Sequence, residues 1–394
     1  MAEGLIRRRE LERKTMAGVT VLHVAPNLAQ GGAERLLHLQ ATAARPGVEH
    51  RLALMENVAF FSTAGLNVTS LGFDLSSRAG SILRLAPAMK ALRDLVVETR
   101  PSVVQGWLYY GAFLTLALKG YDIPIVWAIH NSTFPKFSSN PALYVVDRVL
   151  ALASRSTPSR IIYCAESARC FHEGRGYSPR AGAVIENGVD SQRFQPDPIR
   201  GIEVRAKLGL DPSTLVVGLF GRNDPQKDIP GSLEAFAAFA HNRDDVRLLL
   251  AGRGMVEANR ELHGLLEARN LSSKALLLGS VEDMEGLIAA VDVVMLGSRY
   301  GEALPMVLLE ALASGKPIVA TKVGDVVNLP VPSYALVAPG DPGALAGALA
   351  AVAAQAQAPR WSSAFAAVRD TYGLERCLDR YTKLYAHLAA GRPT

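Results

Sequence analysis

The chain has 394 residues, 49% of them hydrophobic and 20% charged, which excludes a single small module and a disordered chain and makes two domains the first expectation. Lys and Arg number 42 against 37 Asp and Glu, and a net charge of +5 suits an anionic small ligand or a membrane surface better than nucleic acid. Cys164, Cys170 and Cys377 show no Cys-x-x-Cys spacing, so neither a disulfide framework nor a zinc knuckle is supported and a reducing cytoplasm fits.

Residues 1–17 carry Arg7, Arg8, Arg9, Arg13 and Lys14 with no apolar core behind them, so no secretory signal is expected there. The most apolar stretch, Val103 to Leu118, is broken by Gln105, Gly106 and Gly111, so no membrane span is expected either. Strands are expected at Val19 to Ala25, Arg51 to Met55, Val103 to Gln105, Ile125 to Ile129, Arg160 to Cys164 and Ala183 to Ile185, with helical stretches such as Glu34 to Ala44 between most of them. After Asn187-Gly188-Val189-Asp190, the run with Pro196, Pro198, Gly201 and Pro212 interrupts both periodicities and marks a domain boundary. A second series follows at Leu215 to Phe220, Arg247 to Ala251, Ala275 to Leu278, Val293 to Leu296 and Pro317 to Ala320, then a surface helix over Pro342 to Ala358. Strand and helix alternation of this kind makes two doubly wound α/β halves, whose ligands bind at the carboxyl ends of strands.

Three segments carry chemistry. The first strand runs into Gly31-Gly32, where unblocked backbone N–H groups can meet a phosphate or simply make a turn; neither Walker nor Gly-x-Gly-x-x-Gly spacing is present. The strand at Leu215 to Phe220 ends in Gly221-Arg222-Asn223-Asp224-Pro225-Gln226-Lys227-Asp228, placing two cations where they can bracket a diphosphate, or where a solvated loop would hold them in water. The third, Gly301 to Pro317, reads as loop, helix, glycine stop and strand, with Pro305 suited to the first helical position and Gly315 to the stop. Glu302 then lies just before the helix and Glu310 inside it, about 7–8 Å further along.

These residues resemble the retaining glycosyltransferases of family 4, over nearly the whole chain. The resemblance rests on Gly-Gly-Ala-Glu from Gly31, on Glu186-Asn187-Gly188-Val189-Asp190 with Phe194 and Pro196, on Gly221-Arg222 with Gln226-Lys227-Asp228, and on Glu302 with seven residues before Glu310. It implies the GT-B fold: α/β, with two Rossmann-like doubly wound parallel-sheet domains facing a central cleft. Residues 1–192 would bind the acceptor, 193–372 the nucleotide sugar, and 373–394 would form a helix packing back on the N-terminal domain. By the same resemblance Arg222 and Lys227 bind the donor diphosphate, Glu310 the ribose hydroxyls, and Glu302 the transferred sugar. Ala303 and Leu304 join the donor-binding set, Gly31 and Gly32 supply N–H groups to the phosphate, Val281 walls the base pocket, and His130 stands near the reacting carbon. Gly324-Asp325 stands where many relatives have two glycines, and Asn328 where an acidic residue is common.

The implied reaction moves a sugar from a nucleoside diphosphate to an acceptor hydroxyl with retention, on a lipid-linked saccharide at the cytoplasmic face of a bacterial inner membrane. No Asp-x-Asp occurs, so no metal and no cofactor is expected and the two cations take that electrostatic role. A nucleotide-sugar 2-epimerase and a non-catalytic sugar-nucleotide-binding subunit are the competing readings. For a membrane surface, Arg78, Arg84, Lys90 and Arg93 interspersed with Ile82, Leu83, Leu85, Met89 and Leu92 make a basic amphipathic stretch, which can equally pack on the sheet with its basic face in water.

Overall fold

The computed structural model describes residues 18–29, 31–73, 81–134, 141–355 and 359–391, with the backbone alone for 81–84 and 359–360. The basic start at 1–17, Arg78 and positions 356–358 of the alanine-rich segment lie outside the described residues. The chain forms two compact units, Met1–Glu186 with Cys377–Thr394, and Asn187–Arg376. The second therefore begins at Asn187 rather than at residue 193, because Val189 pairs with Gly373 through the bonds Val189 N–H to Tyr372 C=O (2.7 Å) and Leu374 N–H to Val189 C=O (2.8 Å).

The first unit holds a parallel sheet of seven strands: β1 (Val19–Ala25), β2 (Val48–Leu54), β3 (Asn67–Ser70), β4 (Val103–Trp107), β5 (Ile125–Ile129), β6 (Arg160–Tyr163) and β7 (Gly182–Val184), in the order β3-β2-β1-β4-β5-β6-β7. The second holds six: β8 (Leu215–Phe220), β9 (Val246–Ala251), β10 (Ala275–Gly279), β11 (Val293–Leu296), β12 (Ile318–Thr321) and β13 (Leu336–Val337), in the order β10-β9-β8-β11-β12-β13. Central strands such as β5 (IVWAI) and β11 (VVML) are buried at every position, as continuous apolar runs covered on both faces must be. The short edge strands β3 and β13 were not expected; Asn67–Ser70 is polar and mostly exposed, and Leu336–Val337 has two residues, so neither carries an apolar run to read. In each sheet the strand order reverses beside the first strand, between β1 and β4 and between β8 and β11. Loops leaving the carboxyl ends at these two points are where such sheets take their ligands.

The helix Ser81–Thr99 spends its apolar side on the fold: Leu85, Ala88, Leu92 and Val96 are buried. Arg93 donates to the carbonyl of Ala117 (3.0 Å), and exposed Lys90 pairs with Asp94. The amphipathic stretch is thus an ordinary packed helix with a polar outer face, and it presents no apolar stripe of described side chains to a bilayer. No helix among the described residues is long and apolar enough to cross a membrane.

A buried polar cluster ties helix Glu166–Gly174 to the sheet. His172 bonds the carbonyl of Ala168 through Nδ1 (2.7 Å), so that nitrogen is the donor, and Nε2 accepts from the Tyr109 hydroxyl (2.7 Å). Burial lowers the His172 pKa to about 4. The unfolded chain then binds a proton near pH 6.5 that the native ring refuses, so stability is full above that pH, falls as pH drops through this window, and is lost by pH 4. Over that span His172 contributes about 3 kcal/mol, or about 1.4 kcal/mol per pH unit. Urea unfolding between pH 7 and 4 is expected to show a shallower acid slope, by about that amount per unit, in His172→Gln.

Candidate active site

The second unit gathers most of the expected residues around its switch point. Leaving β8, the chain makes a 3-10 turn at Pro225–Lys227, and its geometry follows from local chemistry. Asp224 caps it by accepting from Gln226 N–H (2.9 Å), Pro225 presets φ, and Asp228, left-handed at φ 45°, caps the next helix, Ile229–Phe239, through Gly231 N–H. Lys227 is thereby held between two capped ends. Its Nζ donates to Glu302 Oε1 at 2.6 Å, and Ser298 Oγ donates to the same oxygen at 2.6 Å. Arg299 N–H bonds the carbonyl of Gln226 (2.8 Å), so the loops after β8 and β11 are joined by backbone as well as by charge.

Glu302 is only 6% exposed, and the lysine is its cation. Arg222 points differently: its guanidinium lies 4.0 Å from Asp224 on a half-buried side chain, and it shares no protein partner with Lys227 in this structure. The loop of Arg222 is seated by Gly221 N–H to Ala251 C=O (2.8 Å) and Asn223 N–H to Arg253 C=O (2.8 Å). Gly252 makes that seat, because a Cβ there would stand 1.9 Å from the Gly221 carbonyl oxygen. Next along, Gly252 N–H bonds Gly279 C=O (2.7 Å), which brings the half-buried Val281 segment after β10 against the same ridge.

The helix Met306–Ala313 starts one residue later than expected. Pro305, at φ −70° and ψ 120°, is its N-cap rather than its first helical residue, because it still carries the extended backbone of the preceding loop. Glu310 is inside this helix and 3% exposed, beside Leu308, Leu309, Ala311 and Leu312, all fully buried. A carboxylate at such a site is costly to desolvate unless hydrogen-bond donors meet it. Gly315 ends the element at φ +74°.

Ala303 and Leu304 are buried, and their loop is held by its carbonyls. Ala303 C=O accepts from Asp325 N–H (2.8 Å), and Leu304 C=O from Asn187 Nδ2 (3.2 Å). Gly324, at φ +61°, lies so close that a Cβ would fall 1.9 Å from the Glu302 carbonyl oxygen. Ser298, Gly252 and the Asn187 side chain were not singled out from sequence as parts of this site. The only signal for Ser298 was a hydroxyl four residues before Glu302, which is too common to read.

The remaining expected residues belong to the first unit. Gly31 and Gly32 follow β1, with Gly31 extended at the N-cap of helix Gly32–Thr42. His130 follows β5 and stacks on Trp107 at the end of β4, centroids 5.2 Å apart and planes 15° from parallel. Trp107 Nε1 donates to His23 Nδ1 (3.0 Å), which fixes the His23 proton on Nε2, facing His50 Nδ1 at 2.8 Å.

Two doubly wound parallel sheets of this strand order define the GT-B class of glycosyltransferase fold. Sequence comparison carries this to a family. Residues 17–193 match the model of Glycosyltransferase Family 4, and residues 212–355 that of Glycosyl transferases group 1. A lipopolysaccharide core biosynthesis mannosyltransferase, LpsB, from Rhizobium meliloti (strain 1021) is 33% identical over 144 residues, 36% of this chain and 40% of that protein. An Escherichia coli UDP-Gal:alpha-D-GlcNAc-diphosphoundecaprenol alpha-1,3-galactosyltransferase is 26% identical over 246 residues, 62% of each chain. Among solved structures, Anabaena Alr3699/HepE in complex with UDP-glucose superposes with a TM-score of 0.78 at 22% identity, covering 93% of this chain and 99% of that one. The two family matches together span most of the chain, which belongs to the glycosyltransferases of family 4 and group 1. The matches to the first curated relatives span 40% to 62% of those proteins' lengths.

Proposed function

We propose that this protein transfers a sugar, with retention, from a nucleoside-diphosphate sugar to a saccharide acceptor carried on a lipid. The observation that carries the reading is the buried Lys227–Glu302 pair at the β8/β11 switch point, with Glu310 buried in the following helix. Lys227 has two further N–H bonds to give, and with Arg222 it would neutralise charge developing on the departing diphosphate. Glu310 would accept from ribose hydroxyls, Glu302 from a hydroxyl of the transferred sugar, and Val281 would wall the base. In the first unit, His130, held flat by Trp107, would bond the sugar, while Gly31 and Gly32 offer N–H groups to the phosphate. The leaving phosphate oxygen would take the acceptor proton on the face where the new bond forms. These roles need no metal ion and no cofactor. An epimerase would turn over donor with no acceptor, and a binding subunit would turn over nothing.

The lipid-linked acceptor is favoured by the name of the E. coli relative and by the charge of the first unit. That unit holds 24 Lys and Arg against 15 Asp and Glu, a balance of +9, whereas the second holds 18 against 22, a balance of −4. Helix Pro141–Ala153, on the chain after His130, exposes Val145, Val149 and Leu152 at i, i+4 and i+7. The only acidic residue in 123–165 is Asp147, which is buried against Arg148, Arg175 and Tyr177. This face would therefore meet an anionic lipid surface with apolar and basic groups alone.

One assay tests both parts. Radiolabelled UDP-sugars are offered with a polyprenyl-diphosphate-linked saccharide, either in phosphatidylcholine vesicles or in vesicles with 30% phosphatidylglycerol. Product is expected in both, at least tenfold faster on the anionic vesicles and with that advantage lost in Leu152→Glu. Absence of transfer with every nucleotide sugar and acceptor would sink the reading, and equal rates on the two vesicles would remove the surface.

A further inference from the structure

The segment Glu186-Asn187-Gly188-Val189-Asp190 has no part in the chemistry above, yet its asparagine is 5% exposed and bonded into the carboxylate loop. Asn187 Nδ2 donates to the carbonyl of Leu304, and only the NH2 end can do so because a carbonyl oxygen accepts. The peptide that follows Leu304 enters Pro305, which has no N–H and gives the loop no backbone donor at that point. One residue earlier, Asp325 N–H holds the Ala303 carbonyl. In a trans peptide the next N–H lies opposite the carbonyl, so the Leu304 amide is turned away from Asp325. The segment bearing Asn187 is itself fixed, since Val189 exchanges two backbone bonds with Tyr372 and Leu374.

We infer that Asn187 is a positioning residue for the donor sugar: its amide pins the Leu304 carbonyl and so sets the loop that presents Glu302 and the Leu304 amide. This rests on the reading that residues 302–304 meet the transferred sugar, and it goes beyond that reading by assigning the loop's geometry to a residue 115 positions upstream of Glu302. The nucleotide, met by Arg222, Lys227 and Glu310, does not depend on it.

The discriminating variant is Asn187→Asp, which keeps size and shape but turns the donor into a carboxylate facing a carbonyl oxygen. Asn187→Ala, with no added charge, is made beside it, and circular dichroism reports which of them folds. UDP affinity is expected to stay within twofold of wild type in both, while affinity for the accepted UDP-sugar and kcat/KM fall at least tenfold, with Asp no better than Ala. Wild-type kcat/KM in Asn187→Asp would overturn the proposal, as would equal losses for UDP and UDP-sugar, the mark of a merely structural residue. Glu302→Gln separates the two levels. If it loses transfer while Asn187→Asp keeps it, the positioning role alone fails; if both keep it, the sugar-binding reading of the loop fails as well.

Discussion

Lys227→Ala is expected to lower kcat/KM for the nucleotide sugar by about 100- to 1,000-fold, the loss usual when one preorganised donor to a developing anion is removed. The same substitution should also destabilise the second unit. Glu302 would keep Ser298 Oγ but lose the ammonium 2.6 Å away, and breaking one side of a buried pair costs about 3–5 kcal/mol because the other charge stays behind. The two effects separate in the double variant Lys227→Ala with Glu302→Ala. Removing both charges is expected to recover most of the stability, measured by urea unfolding, while activity stays low. A folded Lys227→Ala protein with undiminished kcat/KM would rule the lysine out of the chemistry, and a double variant as unstable as the single one would show that the pair is not what holds the loop.

Gly324→Ala is expected to be, with Gly252→Ala, among the most damaging changes of a single methyl in this unit. At φ +61° a side chain already costs about 1–2 kcal/mol, and here the new Cβ would also lie 1.9 Å from the Glu302 carbonyl oxygen and 2.7 Å from that of Ala303. Backbone atoms cannot swing aside as a long side chain can, so either the loop moves or the fold gives way. The expected loss is about 3 kcal/mol of stability, with donor affinity reduced at least tenfold in whatever remains folded. Gly340→Ala is the control. It shares the left-handed backbone, φ +78°, but its Cβ would meet nothing nearer than an Arg299 nitrogen at 3.5 Å, so only the conformational cost of about 1–2 kcal/mol applies. Equal effects of the two substitutions would mean that the close approach carries no energy.

Much of this was legible in the order of residues because it is governed by local rules. Buried parallel strands read as apolar runs, and β1, β5, β8 and β11 fall on the expected residues. Helix ends were less exact: Pro305 fits a cap and a first turn equally well in sequence, and only the backbone it inherits from residues 301–304 decides between them. The basic amphipathic helix stayed open between two readings for a similar reason. Periodicity shows that Leu85, Leu92 and their neighbours share a side, but not whether a sheet or a bilayer covers that side, and the fold covers it with the core.

What the sequence determined by itself was two doubly wound halves, because strand periodicity depends on neighbours within a few residues, while the resemblance of its motifs to family 4 supplied the class that the family matches bear out. What only the tertiary structure decided was which groups hold one another: Lys227 on Glu302 across 75 positions, Asn187 on Leu304 across 117, Trp107 on His23 across 84. The sheet sets those partners, since the strand order β10-β9-β8-β11-β12-β13 places the loops after β8 and β11 side by side although some 75 residues separate them in the chain. A pattern of residue types carries no term for that distance, and the crossover connections between parallel strands supply it.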